Sequence, residues 1–165
     1  VGDLEARIAY RAGADIIVVM ALGGDEKIEE ALREAEKWSR GVAIDLMGVE
    51  NPVEELERLV DKFSEYEDLL AFIVHRGVSE QRVKGGIASE VELLKDLRNV
   101  CKKFPLAVAG GIKPGEIRKI AVVHPDIYIV GSAIYSSHSP ESTTRELLSE
   151  LRSCEPSRGL DPRLL

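Results

Sequence analysis

Apolar residues recur along this chain in two alternating patterns. In the longer segments they stand three or four residues apart, as on one face of a helix, and between these segments lie short runs that are almost wholly apolar. Such runs, rich in β-branched residues, are typical of parallel strands that are covered on both faces. The predicted strands are residues 15–20, 42–46, 70–75, 106–111 and 126–130, and the predicted helices are residues 3–12, 25–40, 52–63, 88–104, 114–121 and 141–152.

The alternation of helices and strands predicts an α/β fold with a parallel sheet. Two architectures fit this pattern: an open doubly wound sheet, and part of a (β/α)8 TIM barrel. The length of 165 residues favours the open sheet, because a barrel typically needs about 250 residues. The strand ends favour the barrel, since no GxGxxG motif follows an early strand. We expect residues 1–152 to form one domain and residues 153–165, which lack periodicity, to form a loosely held tail.

Composition and charge narrow the function classes. The chain carries 22 Lys and Arg against 29 Asp and Glu, and its net charge of −7 opposes general binding to nucleic acid or to an anionic membrane. No apolar run approaches the roughly 20 residues of a membrane-spanning helix, and the first residues are charged where a secretory signal would be apolar. Cys101 and Cys154 make neither a zinc motif nor a disulfide framework. These features predict a cytoplasmic protein with a small-molecule partner.

Glycines follow the last two predicted strands. Gly110 and Gly111 follow the fourth strand, and Gly131 with Ser132 follows the fifth. At such positions backbone N–H groups can approach an anion closely, and helix N-termini nearby favour negative charge. We therefore predict that Gly110, Gly111, Gly131 and Ser132 bind phosphate; the alternative is that the glycines only permit tight turns. Ser132 lacks the GxSxG context of a nucleophile, so we expect its hydroxyl to contact phosphate.

Titratable side chains end the second and third strands. Asp45 stands in an otherwise apolar strand, where a carboxylate is costly to bury unless it has a partner. His75 ends the next strand, where an imidazole can hydrogen-bond a substrate hydroxyl or transfer a proton. We predict catalytic roles for both, and for Asp45 the alternative is a structural ion pair with a lysine. Arg76 should point to the opposite face of its strand.

Six short motifs in their order along the chain resemble the orotidine 5′-monophosphate decarboxylase superfamily. Within it, the resemblance is closest to the 3-hexulose-6-phosphate synthases and the related 3-keto-L-gulonate-6-phosphate decarboxylases. The motifs are VGDLEA (1–6), AGAD (12–15), VAIDL (42–46), VHRGV with Gln81 (74–78), AGGI (109–112) and IVGSAI (129–134). Val78 matches the synthases, because the keto-gulonate decarboxylases carry an arginine there, whereas Ser79 departs from the usual aspartate.

The resemblance implies a TIM barrel of which this chain covers about five C-terminal βα units. It also implies a homodimer that acts on a phosphorylated sugar, with Gly110, Gly111, Gly131 and Ser132 holding the phosphate. His75 and Asp45 would address the sugar hydroxyls or an enediolate. The implied reaction is the aldol condensation of formaldehyde with ribulose 5-phosphate, or its reverse. The alternatives are decarboxylation of orotidine 5′-monophosphate or of 3-keto-L-gulonate 6-phosphate, and a non-catalytic phosphate-binding partial barrel.

The family's DxKxxD motif, which holds Mg²⁺ and transfers a proton, would directly precede Val1 and is absent from this sequence. The resemblance therefore implies Mg²⁺ for the complete enzyme and no metal ligand in this chain. We expect either a portion of a longer enzyme or a truncated relative. Five strands cannot close an eight-stranded barrel, so the sheet edges would be unpaired unless another chain or a second copy covers them.

Overall fold

The computed structural model describes residues 2–77 and 85–154 of the chain. Five parallel strands form one sheet, and each strand pairs with the next in the sequence. The strands are β1 (Ile16–Met20), β2 (Gly41–Asp45), β3 (Leu70–His75), β4 (Leu106–Ala109) and β5 (Ile127–Ile129). All five lie where the hydrophobic runs predict strands, although β4 and β5 are shorter than predicted.

Helices connect and follow the strands. The described helices are α1 (Gly2–Arg11), α2 (Asp25–Trp38), α3 (Pro52–Lys62), α4 (Val91–Val100), α5 (Ile117–Ala121), α6 (Ser132–Tyr135) and α7 (Pro140–Cys154). The short helix α6 is not predicted by the sequence pattern. The helix predicted over residues 88–104 is reduced to α4, because a 3₁₀ turn at Ile87–Ser89 precedes it and the chain leaves the helix before Pro105.

The strand order decides between the two architectures. A doubly wound sheet reverses its strand order at a switch point, whereas here the order β1 to β5 follows the sequence throughout. Right-handed crossovers in one direction place every helix on the same face of the sheet. The large core accordingly lies between the helices and one face of the sheet, here called the outer face. The residues of the outer face include Val42, Ile44, Phe72, Val74, Leu106 and Val108. The partial-barrel prediction is confirmed.

The opposite face of the sheet, here called the inner face, has a smaller buried cluster, in which three of the four residues are alanines. Ala43, Ile73, Ala107 and Ala109 form a separate buried cluster there. Towards the two edges of the described sheet this face is open. Ile16 and Val18 of β1 are 54% and 58% exposed, and Ile127 and Ile129 of β5 are 41% and 43% exposed.

The prediction that β1 is covered on both faces is wrong for the part of the chain that the structure describes. An apolar run indicates that a strand suits burial on both faces, but only the tertiary structure decides what packs against each face. The inner face of β1 has the exposed residues Ile16 and Val18, and only its outer face meets the core through Ile17 and Val19.

Several predictions concern residues at the limits of the described ranges. Helix α7 continues through Cys154, two residues past the predicted domain boundary at residue 152. The rest of the predicted tail, and also Val78, Ser79 and Gln81, lie outside the described residues. Within residues 2–77 and 85–154, the helices are too short or too polar to cross a bilayer.

Candidate functional site

Asp45 and His75 lie side by side at the carboxyl ends of β2 and β3. The strand register pairs Asp45 with Ile73, and side chains two residues apart in a strand point to the same face. His75 therefore lies one step beyond Asp45 on the inner face. Its Nδ1 is 2.9 Å from Oδ2 of Asp45. The structure thus brings the two predicted catalytic residues into direct contact, which the sequence did not indicate.

The contacts of Asp45 orient the imidazole of His75. Asp45 is only 6% exposed, and its Oδ1 accepts a hydrogen bond of 2.9 Å from the backbone N–H of Met47. The buried carboxylate is therefore satisfied at both oxygens. A carboxylate oxygen can only accept, so the contact with Oδ2 of Asp45 favours the tautomer in which Nδ1 of His75 carries the proton and donates. In that tautomer Nε2 is the acceptor.

This pair has the arrangement of a positioned acid–base group. A carboxylate behind an imidazole holds the ring in one orientation and one tautomer, and it stabilises the positive charge when the ring takes a proton. The side chain of His75 is 31% exposed, so small molecules can reach it. The alternative role for Asp45 is a structural ion pair with a lysine, but the side chain that contacts Asp45 among the described residues is His75.

The turn after β4 requires glycine at two consecutive positions. Gly110 has φ 105° and Gly111 has φ 69°, a region that side-chain-bearing residues rarely adopt. A Cβ atom on Gly110 would also collide with the backbone of Arg76. A structural explanation therefore exists for these two glycines, whether or not they also bind phosphate.

Gly131 differs from this pair. Its φ is −116°, and a Cβ atom there would meet only the ring of Tyr135 at 3.5 Å, an ordinary packing distance. The tight-turn explanation does not account for glycine at this position, which is exposed. A role that needs close approach of the backbone to another molecule explains it better.

The residues that follow β4 (Gly110 and Gly111) and β5 (Gly131), here called the glycine tips, lie at the carboxyl ends of neighbouring strands. Ala109 pairs with Ile129 in the parallel register, so the residues that follow them leave neighbouring strands in the same direction, about 4.8 Å apart. Among the described contacts, the backbone N–H groups of Gly111, Gly131 and Ser132 have no acceptor. The fold thus brings the predicted phosphate-binding residues together, and their binding of phosphate stays a prediction.

Arg76 projects away from the pair formed by Asp45 and His75, as the two-residue alternation predicts. Its guanidinium is buried, with the residue only 5% exposed, and it forms an ion pair with Glu90. The sequence does not predict this contact, because Glu90 lies 14 residues further along the chain outside any regular spacing.

The described residues contain no group of three or more His, Cys, Asp or Glu side chains that could hold a metal ion. Asp45, the carboxylate on the inner face at the carboxyl end of β2, already accepts hydrogen bonds from His75 and from the Met47 backbone. The described residues therefore do not fit a magnesium site.

A family model described as "Orotidine 5'-phosphate decarboxylase / HUMPS family" matches residues 1–147. The 3-hexulose-6-phosphate synthase of Staphylococcus epidermidis is 31% identical over 144 residues, which cover 87% of this chain and 65% of that enzyme. The synthase of Mycobacterium gastri is also 31% identical, with 88% of this chain and 66% of that enzyme covered. This chain thus spans about two thirds of the length of these relatives.

A solved structure gives the same likeness in three dimensions. The crystal structure of 3-hexulose-6-phosphate synthase from Salmonella typhimurium superposes with a TM-score of 0.79 at 27% sequence identity. The superposition covers 93% of this chain and 69% of the other.

Proposed function

Because this chain belongs to the orotidine 5′-phosphate decarboxylase / HUMPS family, we propose that the protein is a lyase of the 3-hexulose-6-phosphate synthase type. Its reaction would be the aldol condensation of formaldehyde with ribulose 5-phosphate, or the reverse. The observation that carries the proposal is the contact between Asp45 and His75 on the inner face, at the sheet edge that also bears the glycine tips. The identity of 31% to the Staphylococcus epidermidis synthase supports the substrate.

The phosphate of the sugar would be held by the backbone N–H groups of Gly111, Gly131 and Ser132, together with the Ser132 hydroxyl, while Gly110 shapes the turn. Binding a dianion through backbone amides needs no mobile side chain, so it fixes the distance between the phosphate and the reacting carbon. The exposed Gly131, which local packing does not require, supports this role.

The proposed reaction transfers protons, and the pair of Asp45 and His75 would carry out this transfer. In the condensation, C1 of ribulose 5-phosphate loses a proton and bonds to the formaldehyde carbon, and the former formaldehyde oxygen gains a proton. Nε2 of His75 would hydrogen-bond the sugar oxygens, accept the proton that C1 loses and return it to the former formaldehyde oxygen. Asp45 would hold the ring through Nδ1 and stabilise its charged form.

The dependence on Mg²⁺, the homodimer and the cytoplasmic location are part of the proposal. The family resemblance supports the first two, and the composition of the sequence supports the third. When bound, magnesium would stabilise the negative charge of an enediolate. The described residues do not fit a magnesium site.

The test is an assay of the native protein with ribulose 5-phosphate, with and without formaldehyde. We expect ribulose 5-phosphate to be consumed only when formaldehyde is present, and we expect a chelator to abolish this consumption and Mg²⁺ to restore it. Release of CO₂ from orotidine 5′-monophosphate or 3-keto-L-gulonate 6-phosphate in place of this reaction would favour those alternatives. Binding of ribulose 5-phosphate without any turnover would favour the non-catalytic alternative.

A further inference from the structure

Arg76 continues the β3–β4 ladder one residue beyond His75. Its backbone N–H donates to the carbonyl of Ala109 at 3.2 Å, directly before the turn at Gly110. The side chain leaves the inner face and is buried. Arg76 is thus adjacent to the predicted acid–base histidine along the chain and to the predicted phosphate-binding turn across the sheet.

The guanidinium of Arg76 binds several groups of one short segment, residues 85–90. Nη1 donates to the carbonyl of Gly85 at 2.9 Å, to the carbonyl of Gly86 at 3.2 Å and to Oγ of Ser89 at 3.0 Å. Nη2 forms the ion pair with Glu90. A buried cation that binds two carbonyls, a hydroxyl and a carboxylate uses the planar, multiply donating geometry that distinguishes arginine from lysine.

The segment bound by Arg76 packs against the glycine turn after β4. The backbone N–H of Ile87 donates to the carbonyl of Gly110 at 2.9 Å. Gly86 approaches Gly111 so closely that a Cβ atom on Gly86 would lie 2.6 Å from the carbonyl oxygen of Gly111. The turn at Gly110 and Gly111 therefore contacts residues 85–90 on one side and the Arg76 backbone on the other.

We propose that Arg76 is a positioning residue for the sugar-phosphate site: by holding residues 85–90 against Gly110 and Gly111, it fixes the direction of the backbone N–H groups that bind the phosphate. This inference rests on the proposed function for its ligand. Arg76 itself touches neither the phosphate nor the sugar, because its side chain lies on the other side of the strand from His75.

A purely structural ion pair is the competing explanation, and the chain offers a matched control for it. Arg98 also binds two carbonyls and a carboxylate, those of Cys101 at 2.6 Å, Phe104 at 3.0 Å and Asp126 at 2.8 Å. These groups precede β4 and β5, so they lie at the opposite edge of the sheet. A lysine at either position removes the same kind of contact, but only Arg76→Lys disturbs the glycine turn.

The experiment compares the wild-type protein, Arg76→Lys and Arg98→Lys by amide hydrogen exchange and by calorimetric titration with ribulose 5-phosphate. In Arg76→Lys we expect the Ile87 amide to exchange at least about tenfold faster, since its bond to Gly110 is no longer held, and the Kd for ribulose 5-phosphate to rise by at least about tenfold. Arg98→Lys should lower the Tm while leaving both quantities near wild type. Glu90→Gln, which keeps an acceptor for Nη2 and removes the charge, provides a milder second variant with smaller changes in the same direction.

Equal changes in Arg76→Lys and Arg98→Lys would overturn the inference and leave Arg76 a stabilising residue only. So would unchanged Ile87 exchange in both Arg76→Lys and Glu90→Gln. If the wild-type protein fails to bind ribulose 5-phosphate while Arg76→Lys still accelerates exchange at Ile87, the proposed function fails and the positioning of the turn by Arg76 stands.

Discussion

At the scale of single residues, the proposed chemistry depends on one short contact between two strand ends. Asp45 is buried and accepts from both His75 and the Met47 backbone. A buried carboxylate with two fixed donors cannot rotate freely, so it holds the imidazole in one position before any ligand arrives. Preorganisation of this kind lowers the cost of reaching the transition state.

Asp45→Asn should therefore impair catalysis more than binding. The asparagine amide cannot stabilise a protonated ring, and its NH₂ group can turn towards Nδ1 and favour the wrong tautomer. We expect kcat to fall by about 10²–10⁴-fold, while calorimetry still detects ribulose 5-phosphate binding through the backbone amides.

Asp126→Asn is the matched control for this substitution. Asp126 accepts from the backbone N–H of Leu106 and from Arg98 at the other edge of the sheet, so its change should lower the Tm and leave kcat near wild type. A wild-type kcat in Asp45→Asn would remove the pair from the mechanism.

The residues of the site were predictable to different extents. The sequence places Asp45 and His75 at strand ends, because polar residues stand out beside apolar strands, and their catalytic roles stay predictions. It does not reveal their contact, which depends on the register between β2 and β3. The hydrogen bonds and the ion pair of Arg76 could not be predicted from the sequence either. The partners of Arg76 lie in an irregular segment, where no periodicity relates sequence distance to spatial distance.

At the scale of elements, a buried carboxylate joins the first two helices. Glu34 on α2 is 3% exposed and accepts from Lys37 at 2.8 Å, from Arg7 of α1 at 3.0 Å and from Trp38 at 3.1 Å. Hydrogen bonds from Lys37, then Arg7 and Trp38, lower the pKa of Glu34 from the ordinary 4.5 to about 2. The charged form is therefore favoured in the folded state.

This shift predicts part of the acid sensitivity of the protein. A carboxyl group whose pKa is lower in the folded state contributes stability above its unfolded pKa and loses it as the pH falls through its folded pKa. For Glu34 the loss falls between pH 4.5 and about 2. The free energy of unfolding, measured by urea titration across this window, should decline less steeply in Glu34→Gln than in wild type.

Glu36→Gln, on the exposed side of the same helix, should reproduce the wild-type pH dependence. If Glu34→Gln and wild type gave parallel curves from pH 4.5 to about 2, the shifted pKa of Glu34 would have no part in acid unfolding.

The limits of element prediction have physical causes. Long periodic stretches such as α2 and α3 were found because they carry several turns of apolar residues on one face. Helix α6 has only four residues, too few for a periodic signal. The apolar run in β1 predicts a strand covered on both faces, whereas the described residues cover only one. Hydrophobicity indicates that a residue favours burial, but it does not show which residues pack against it.

At the scale of the whole molecule, the two edges of the sheet carry different kinds of residue. The carboxyl edge bears Asp45, His75 and the glycine tips, and the amino edge bears the ion pair of Arg98 and Asp126. Barrel enzymes place chemistry at the carboxyl ends of their strands and stabilising contacts at the other end. The described part of the barrel follows this division, which is why Arg98→Lys and Asp126→Asn, at the amino ends of the strands, serve as controls for Arg76→Lys and Asp45→Asn.

The most direct test of the account is ribulose 5-phosphate binding by Gly131→Glu, measured by calorimetry beside Asn99→Glu. Both variants add one negative charge, Gly131→Glu next to the predicted phosphate amides and Asn99→Glu on the exposed surface of α4. We expect both variants to keep the wild-type Tm, Asn99→Glu to bind ribulose 5-phosphate as wild type does, and Gly131→Glu to lose binding. Undiminished binding by a folded Gly131→Glu protein would contradict the proposed phosphate site.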